Sequence, residues 1–176
     1  AKVDRMTDDF EDYNSWGVDN AGDWSFHDGD KGVTYGYFDD QGLYYDNEKT
    51  PFAYIVWTPA NYGGEDITVA NPTAKPYSGS NAMASVYSYN RKATGELTPL
   101  AADNWMISPE LTGKAQTVMF RVNNISASNP ETYQVLYSTT TAAHDQFQLV
   151  AEKTVSNSKW DEVSFELPEG ARYFAI

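Results

Sequence analysis

Over 117–123 and again over 162–167 the chain alternates between apolar and polar residues, and that period of two constrains it to strands. Val118, Phe120 and Val122 fall on one side, with Thr117, Met119, Arg121 and Asn123 on the other; Val163, Phe165 and Leu167 oppose Glu162, Ser164 and Glu166. Successive side chains of a strand point to opposite faces, so each run carries one apolar face and one wet face, as antiparallel sheets do. Similar runs at 54–57, 82–87, 133–138 and 147–155 are separated by Gly, Pro, Asn and Ser at spacings suited to a sandwich. One stretch competes: 142–153 is rich in helix formers, with Asp145 able to cap. The preceding Thr139-Thr140-Thr141 favours extended backbone, and we read a strand that follows a helical turn.

With 176 residues there is enough chain for one substantial core, which predicts a single domain over 1–176 with a Tyr-rich insertion around 32–64. Trp24, Trp105 and Trp160 are predicted in the core. The net charge of -13 repels phosphate backbones and excludes nucleic acid as a natural partner. Cysteine is absent, so neither disulfides nor thiolate metal sites are available. No apolar run is long enough to span a bilayer, and the start at Ala1-Lys2-Val3-Asp4 reads as that of a mature or trimmed chain.

Chemistry-bearing residues are unevenly spread. His27 and His144 are the only histidines, and neither sits in a nucleophile elbow or a zinc-binding helix, so no enzyme is predicted. A carboxylate pair across a sheet leaves no sequence signature, which keeps a stand-alone hydrolase as a remote alternative. Asp9, Glu11, Asp12, Asp19, Asp23, Asp28 and Asp30 crowd the first part of the chain among Gly and Asn. Short acids on wrapping loops suit Ca²⁺, which takes six to eight oxygens; a solvated acidic loop is the plainer reading. Asp28-x-Asp30-x-Gly32 opens like an EF-hand loop but has Gly at the third acidic position and no bidentate Glu at the required offset. Tyr35, Tyr37, Tyr44, Tyr45 and Tyr62 lie in a long Gly- and Asp-rich segment, where flat rings with polar tips can meet a ligand. Of these, Tyr44, Tyr45 and Tyr62 are the expected ligand-binding residues, although a segment folded back on the sandwich would bury several of the rings.

Three blocks in order, Asp9-Phe10-Glu11-Asp12, Tyr77-Ser78-Gly79-Ser80-Asn81-Ala82-Met83-Ala84-Ser85 and Asp103-Asn104-Trp105-Met106-Ile107-Ser108-Pro109-Glu110-Leu111, resemble the cleaved-adhesin or choice-of-anchor J family. The likeness continues through the block at 131–140 and ends over 160–167 and 171–176. The resemblance implies an all-β, two-sheet antiparallel β-sandwich of jelly-roll type, with a short turn at 142–146 before a strand. It implies a non-catalytic adhesion or ligand-recognition module, on a bacterial surface or secreted, that meets a host or environmental glycan or an extracellular protein. A carbohydrate-binding module of a glycan-degrading enzyme is the alternative. It also implies a structural Ca²⁺ held by Glu11 and Asp23, and the crowding of acids around them adds Asp9 or Asp19 as a contributor. The family's strand order has a further strand beyond the one at 172–176, so the resemblance predicts an open edge near Phe10 where another chain could pair.

Overall fold

The computed structural model describes residues 6–176; the opening 1–4, read above as a trimmed start, lies outside them. The strands are β1 (Ser25–Asp28), β2 (Val33–Thr34), β3 (Ile55–Trp57), β4 (Ala82–Ala84), β5 (Ser88–Arg91), β6 (Leu97–Pro99), β7 (Asn104–Ile107), β8 (Gln116–Val122), β9 (Glu131–Ser138), β10 (Gln148–Val155), β11 (Asp161–Leu167) and β12 (Tyr173–Ala175). The registered pairs are antiparallel, and among the described residues the helical elements are single 3-10 turns, so the chain is all-β as its periodicity predicts. It packs as two compact units. One comprises residues 6–8, Asp23–Ser25 and Ile107–Ile176, and the other Asp9–Gly22 and Phe26–Met106.

In the first unit β8 and β11 pair without a break from Asp161 opposite Val122 to Leu167 opposite Gln116. Their period of two turns Val118 and Leu167 inward onto Leu111, Ala171 and Phe174, and leaves Met119 exposed. On the wet face Arg121 meets Glu162 across the strands at 2.6 Å. A second sheet is formed by β12, β9 and β10, and its Tyr137 and Val150 pack on the same cluster, so two antiparallel sheets enclose one core. Trp24 packs edge-on to Phe174 at 5.7 Å, and its indole N–H donates to the Asp8 carboxylate at 2.9 Å. The contested stretch resolves into a 3-10 turn at His144–Gln146 followed by β10, in keeping with the extended preference of the threonines before it.

The second unit is built on aromatic rings. Trp16, Tyr45, Phe52, Ile55, Trp57 and Tyr62 form its core, with β3 buried along its length. Trp16 stacks on Tyr45 at 5.0 Å and meets Trp57 and Tyr62 edge-on at 5.2 and 5.5 Å. Its backbone has a φ of 59°, which a bulky residue adopts only when held. Three hydrogen bonds do so: its amide to the Val56 carbonyl, its indole N–H to the Asn61 carbonyl, and the Asn47 side chain to its own carbonyl. Trp16 and Trp57 are thus the fully buried tryptophans, whereas Trp24, Trp105 and Trp160, predicted in the core, are half-buried. Residues around Phe10, where an open edge is expected, form a turn and not a strand, because Phe10 takes a φ of 65°.

Candidate functional site

The second unit also holds the sheet β2-β5-β6, and its register decides what its surface displays. Val33 pairs with Tyr89 and Thr34 with Ser88, and the Tyr35 amide then donates to the Tyr87 carbonyl at 2.9 Å. On the other side Arg91 pairs with Leu97 and Tyr89 with Pro99. Residues two apart share a face, so Tyr35, Tyr87, Tyr89, Arg91 and Leu97 come out on one side. Tyr35 and Tyr87 are each 43% exposed and Leu97 45%, while Tyr89 forms a buried floor.

A segment over 36–49 forms a second wall. It folds back because Tyr45 belongs to the aromatic core, where its hydroxyl donates to the Tyr35 carbonyl at 2.6 Å. Burial holds the Tyr45 and Tyr62 phenols far above the usual tyrosine range, so both stay neutral. Glu48 is tucked beneath this wall with its side chain 7% exposed. Its Oε2 accepts the Tyr45 amide at 3.2 Å; its Oε1 and the Oδ1 of Asp39 are buried and receive no hydrogen bond. Lys49 pairs with the other oxygen of Asp39, lies 3.6 Å from Glu48 Oε1 and sits 5.2 Å from the centre of the Tyr44 ring. Burial raises the Glu48 pKa above its ordinary value and the Asp39 charge adds to the rise, against the lowering effects of the Tyr45 amide and Lys49.

Between the walls lies a surface cleft of about 440 Å³, lined by Tyr35, Tyr37 and Leu97 together with Asp39, Asp40, Lys49 and Arg91. Tyr35 meets Tyr37 at 76° and Tyr87 at 84°. The rings therefore make a corrugated surface and not a flat platform. Such a surface offers apolar edges, hydroxyls and charges of both signs to a protruding group.

Of the three tyrosines expected to bind ligand, the structure leaves only Tyr44 on the surface, at 51% exposure. Tyr45 and Tyr62, at 2% and 0%, are corrected to core residues: their rings complete the cluster around Trp16 and have no free face. The cleft residues missed in the sequence include Tyr89, Arg91 and Leu97, with Tyr87 beside Tyr35 at the cleft's edge. Their signal was the Tyr-x-Tyr-x-Arg alternation at 87–91, whose exposed face only strand pairing reveals.

The four acids expected to hold Ca²⁺ are engaged as follows, and among the described residues no group of three or more acidic, cysteine or histidine side chains is placed to hold a metal ion. Glu11 accepts the amides of Ser80 at 2.9 Å and Asn81 at 2.7 Å, and Asp19 accepts those of Ala53 and Tyr54 at 3.0 and 2.9 Å. Asp9 accepts the Glu11 amide. Asp23 lines a separate polar recess of about 250 Å³ in the first unit, with Ser25, Ser108, Glu110 and Tyr173. Glu11 is thus a clasp on the loop at Gly79, where a Cβ would collide with its carboxylate. Glu11→Ala is expected to lower stability by about 1–2 kcal/mol, since charge-assisted bonds are lost but the group is exposed. Urea unfolding measures this, and a variant as stable as the wild type would refute the clasp.

The all-β fold, with antiparallel sheets enclosing a core, defines a module of the β-sandwich class. Residues 52–176 match the Cleaved Adhesin Domain family, and the chain belongs to that family. Among solved structures it is similar to the K2 cleaved adhesin domain of Lys-gingipain, with 19% identity, a TM-score of 0.59, and coverage of 97% of this chain and 87% of that one. The K3 domain of Lys-gingipain from Porphyromonas gingivalis W83 is similar at 20% identity and a TM-score of 0.54, over 88% and 78% of the two chains. At these identities the likeness establishes the fold alone. No curated protein matches the chain by sequence. The whole of the segment forming the second wall precedes the matched region.

Proposed function

We propose that this chain is a non-catalytic recognition module of a bacterial protein acting outside the cell, and that it grips a partner through the tyrosine cleft of the second unit. The observation that carries the reading is one sheet face on which strand register leaves Tyr35 and Tyr87 exposed at one end and Leu97, opposite Arg91, at the other, in a chain that buries its other aromatic cluster. Membership of an adhesin family supports adhesion over catalysis. The perpendicular setting of the rings supports an extracellular protein with a protruding side chain over a glycan lying on a flat aromatic row. Glu48 does not line the cleft, so the Asp39–Glu48 pair lacks the substrate access that a hydrolase needs.

The test is a matrix-protein and glycan array, run with Ca²⁺ and with EDTA, followed by mapping of the hit by NMR on the labelled module. Shifts centred on Tyr35, Tyr87, Arg91 and Leu97 are expected. Shifts confined to the first unit would remove the cleft as the site, and a glycan hit stacked on those rings would favour the carbohydrate-binding alternative.

A further inference from the structure

The wall of the cleft contains an arrangement that ligand binding does not explain. Asp39 Oδ1 and Glu48 Oε1 are both buried, neither receives a hydrogen bond, and both crowd onto the same glycine: a Cβ built at Gly36 would collide with the first and lie 3.0 Å from the second. Two carboxylate oxygens turned toward one another without a donor repel, unless something positive lies between them. Lys49 answers part of the charge, through the far oxygen of Asp39 and at 3.6 Å from Glu48 Oε1. The other groups around the pair are the phenols of Tyr37, Tyr45 and Tyr62, none of which bonds either orphaned oxygen (the Tyr45 hydroxyl is committed to the Tyr35 carbonyl), and the Tyr45 amide, already on Oε2.

We propose that Glu48 and Asp39 share one proton over Gly36, and that this shared proton fastens the 36–49 wall, making the cleft better ordered in mild acid than in neutral or alkaline solution. The inference rests on the cleft being the recognition site only for its biological meaning. In acid, the protonated Glu48 Oε1 donates to Asp39 Oδ1 and both orphaned oxygens are satisfied. As pH rises the proton leaves, Lys49 faces two carboxylates, and Gly36, between the cleft-lining Tyr35 and Tyr37, loses its fixed neighbours. The sign follows from linkage: the folded-state value lies above the ordinary 4.5, so the stabilisation is complete below that value and is lost as pH climbs through the raised one.

Glu48→Gln mimics the protonated state permanently, because its amide nitrogen can donate to Asp39 while its oxygen still accepts the Tyr45 amide. It is expected to melt with the wild type near pH 4.5 and ~2–4 °C above it at pH 8. Carboxyl ¹³C NMR of the wild type is expected to show Glu48 titrating above the ordinary glutamate range, with the ring signals of Tyr35 and Tyr37 moving at the same midpoint. Parallel melting curves for the two proteins at every pH, or a Glu48 that titrates at its ordinary value, overturns the proposal. So does a rise in wild-type melting temperature with added Ca²⁺ that Glu48→Gln lacks, which would put a metal where the proton is assigned. None of these readouts needs the partner, so a ligand mapped elsewhere would overturn the recognition reading and leave the titration standing.

Discussion

Trp16→Ala is expected to cost about 3–5 kcal/mol, the range for emptying a buried aromatic site. The ring contacts Tyr45, Trp57 and Tyr62, so its loss opens a void that three large rings must collapse into. Its indole N–H also satisfies the Asn61 carbonyl at 2.8 Å, which would lose that donor. Folded domains are stable by only ~5–15 kcal/mol, so this single change removes a large share of the total. At ~2–4 °C per kcal/mol for a chain of this length, melting should fall by roughly 10 °C or more. Trp16→Phe keeps most of the ring and loses the hydrogen bond, and should fall by about a third of that. Tyr44→Ala, exposed and outside the core, is the control and should change stability by less than ~0.5 kcal/mol. Equal losses for Trp16→Ala and Tyr44→Ala in urea unfolding would show that the aromatic cluster does not hold the second unit.

The other large effect concerns affinity. Tyr35→Ala combined with Tyr87→Ala should weaken binding of the array hit by about 10- to 30-fold, from about 1 kcal/mol per ring. Both side chains are 43% exposed, so the fold should survive, with a modest loss from their mutual edge-on contact at 5.9 Å. Calorimetric titration compares this double variant with Tyr44→Ala. If Tyr44→Ala alone abolishes binding and the double variant does not, the contact lies on the Lys49 side of the wall and not on the sheet.

The strands with strict alternation were readable because burial on one face writes itself into the sequence: Val118, Phe165 and Leu167 are buried and Met119 is not, as their spacing requires. The family blocks added the sandwich. The site was only partly legible, for a physical reason. A tyrosine is compatible with a core and with a contact surface, and Tyr44 and Tyr45 are neighbours with opposite fates because one backbone step separates an exposed ring from one wedged against Trp16. The acids are ambiguous in the same way. A carboxylate that clasps a backbone amide 70 residues away, as Glu11 does at Asn81, has the same composition as a metal ligand.

Tyr45, Asn47 and Glu48 fasten the 36–49 wall at separate points: a hydroxyl on the Tyr35 carbonyl, an amide on the Trp16 carbonyl and a buried carboxyl under Gly36. A stretch tethered in this way has little slack. Inserting or deleting a residue there would pull a fastener out of place, whereas exchanging Tyr44 or Asp40 would alter only what faces outward. Modules built on this plan could therefore diversify their partners by point substitution at constant length, and a relative of different length over this stretch would have had to rebuild its core to keep the cleft.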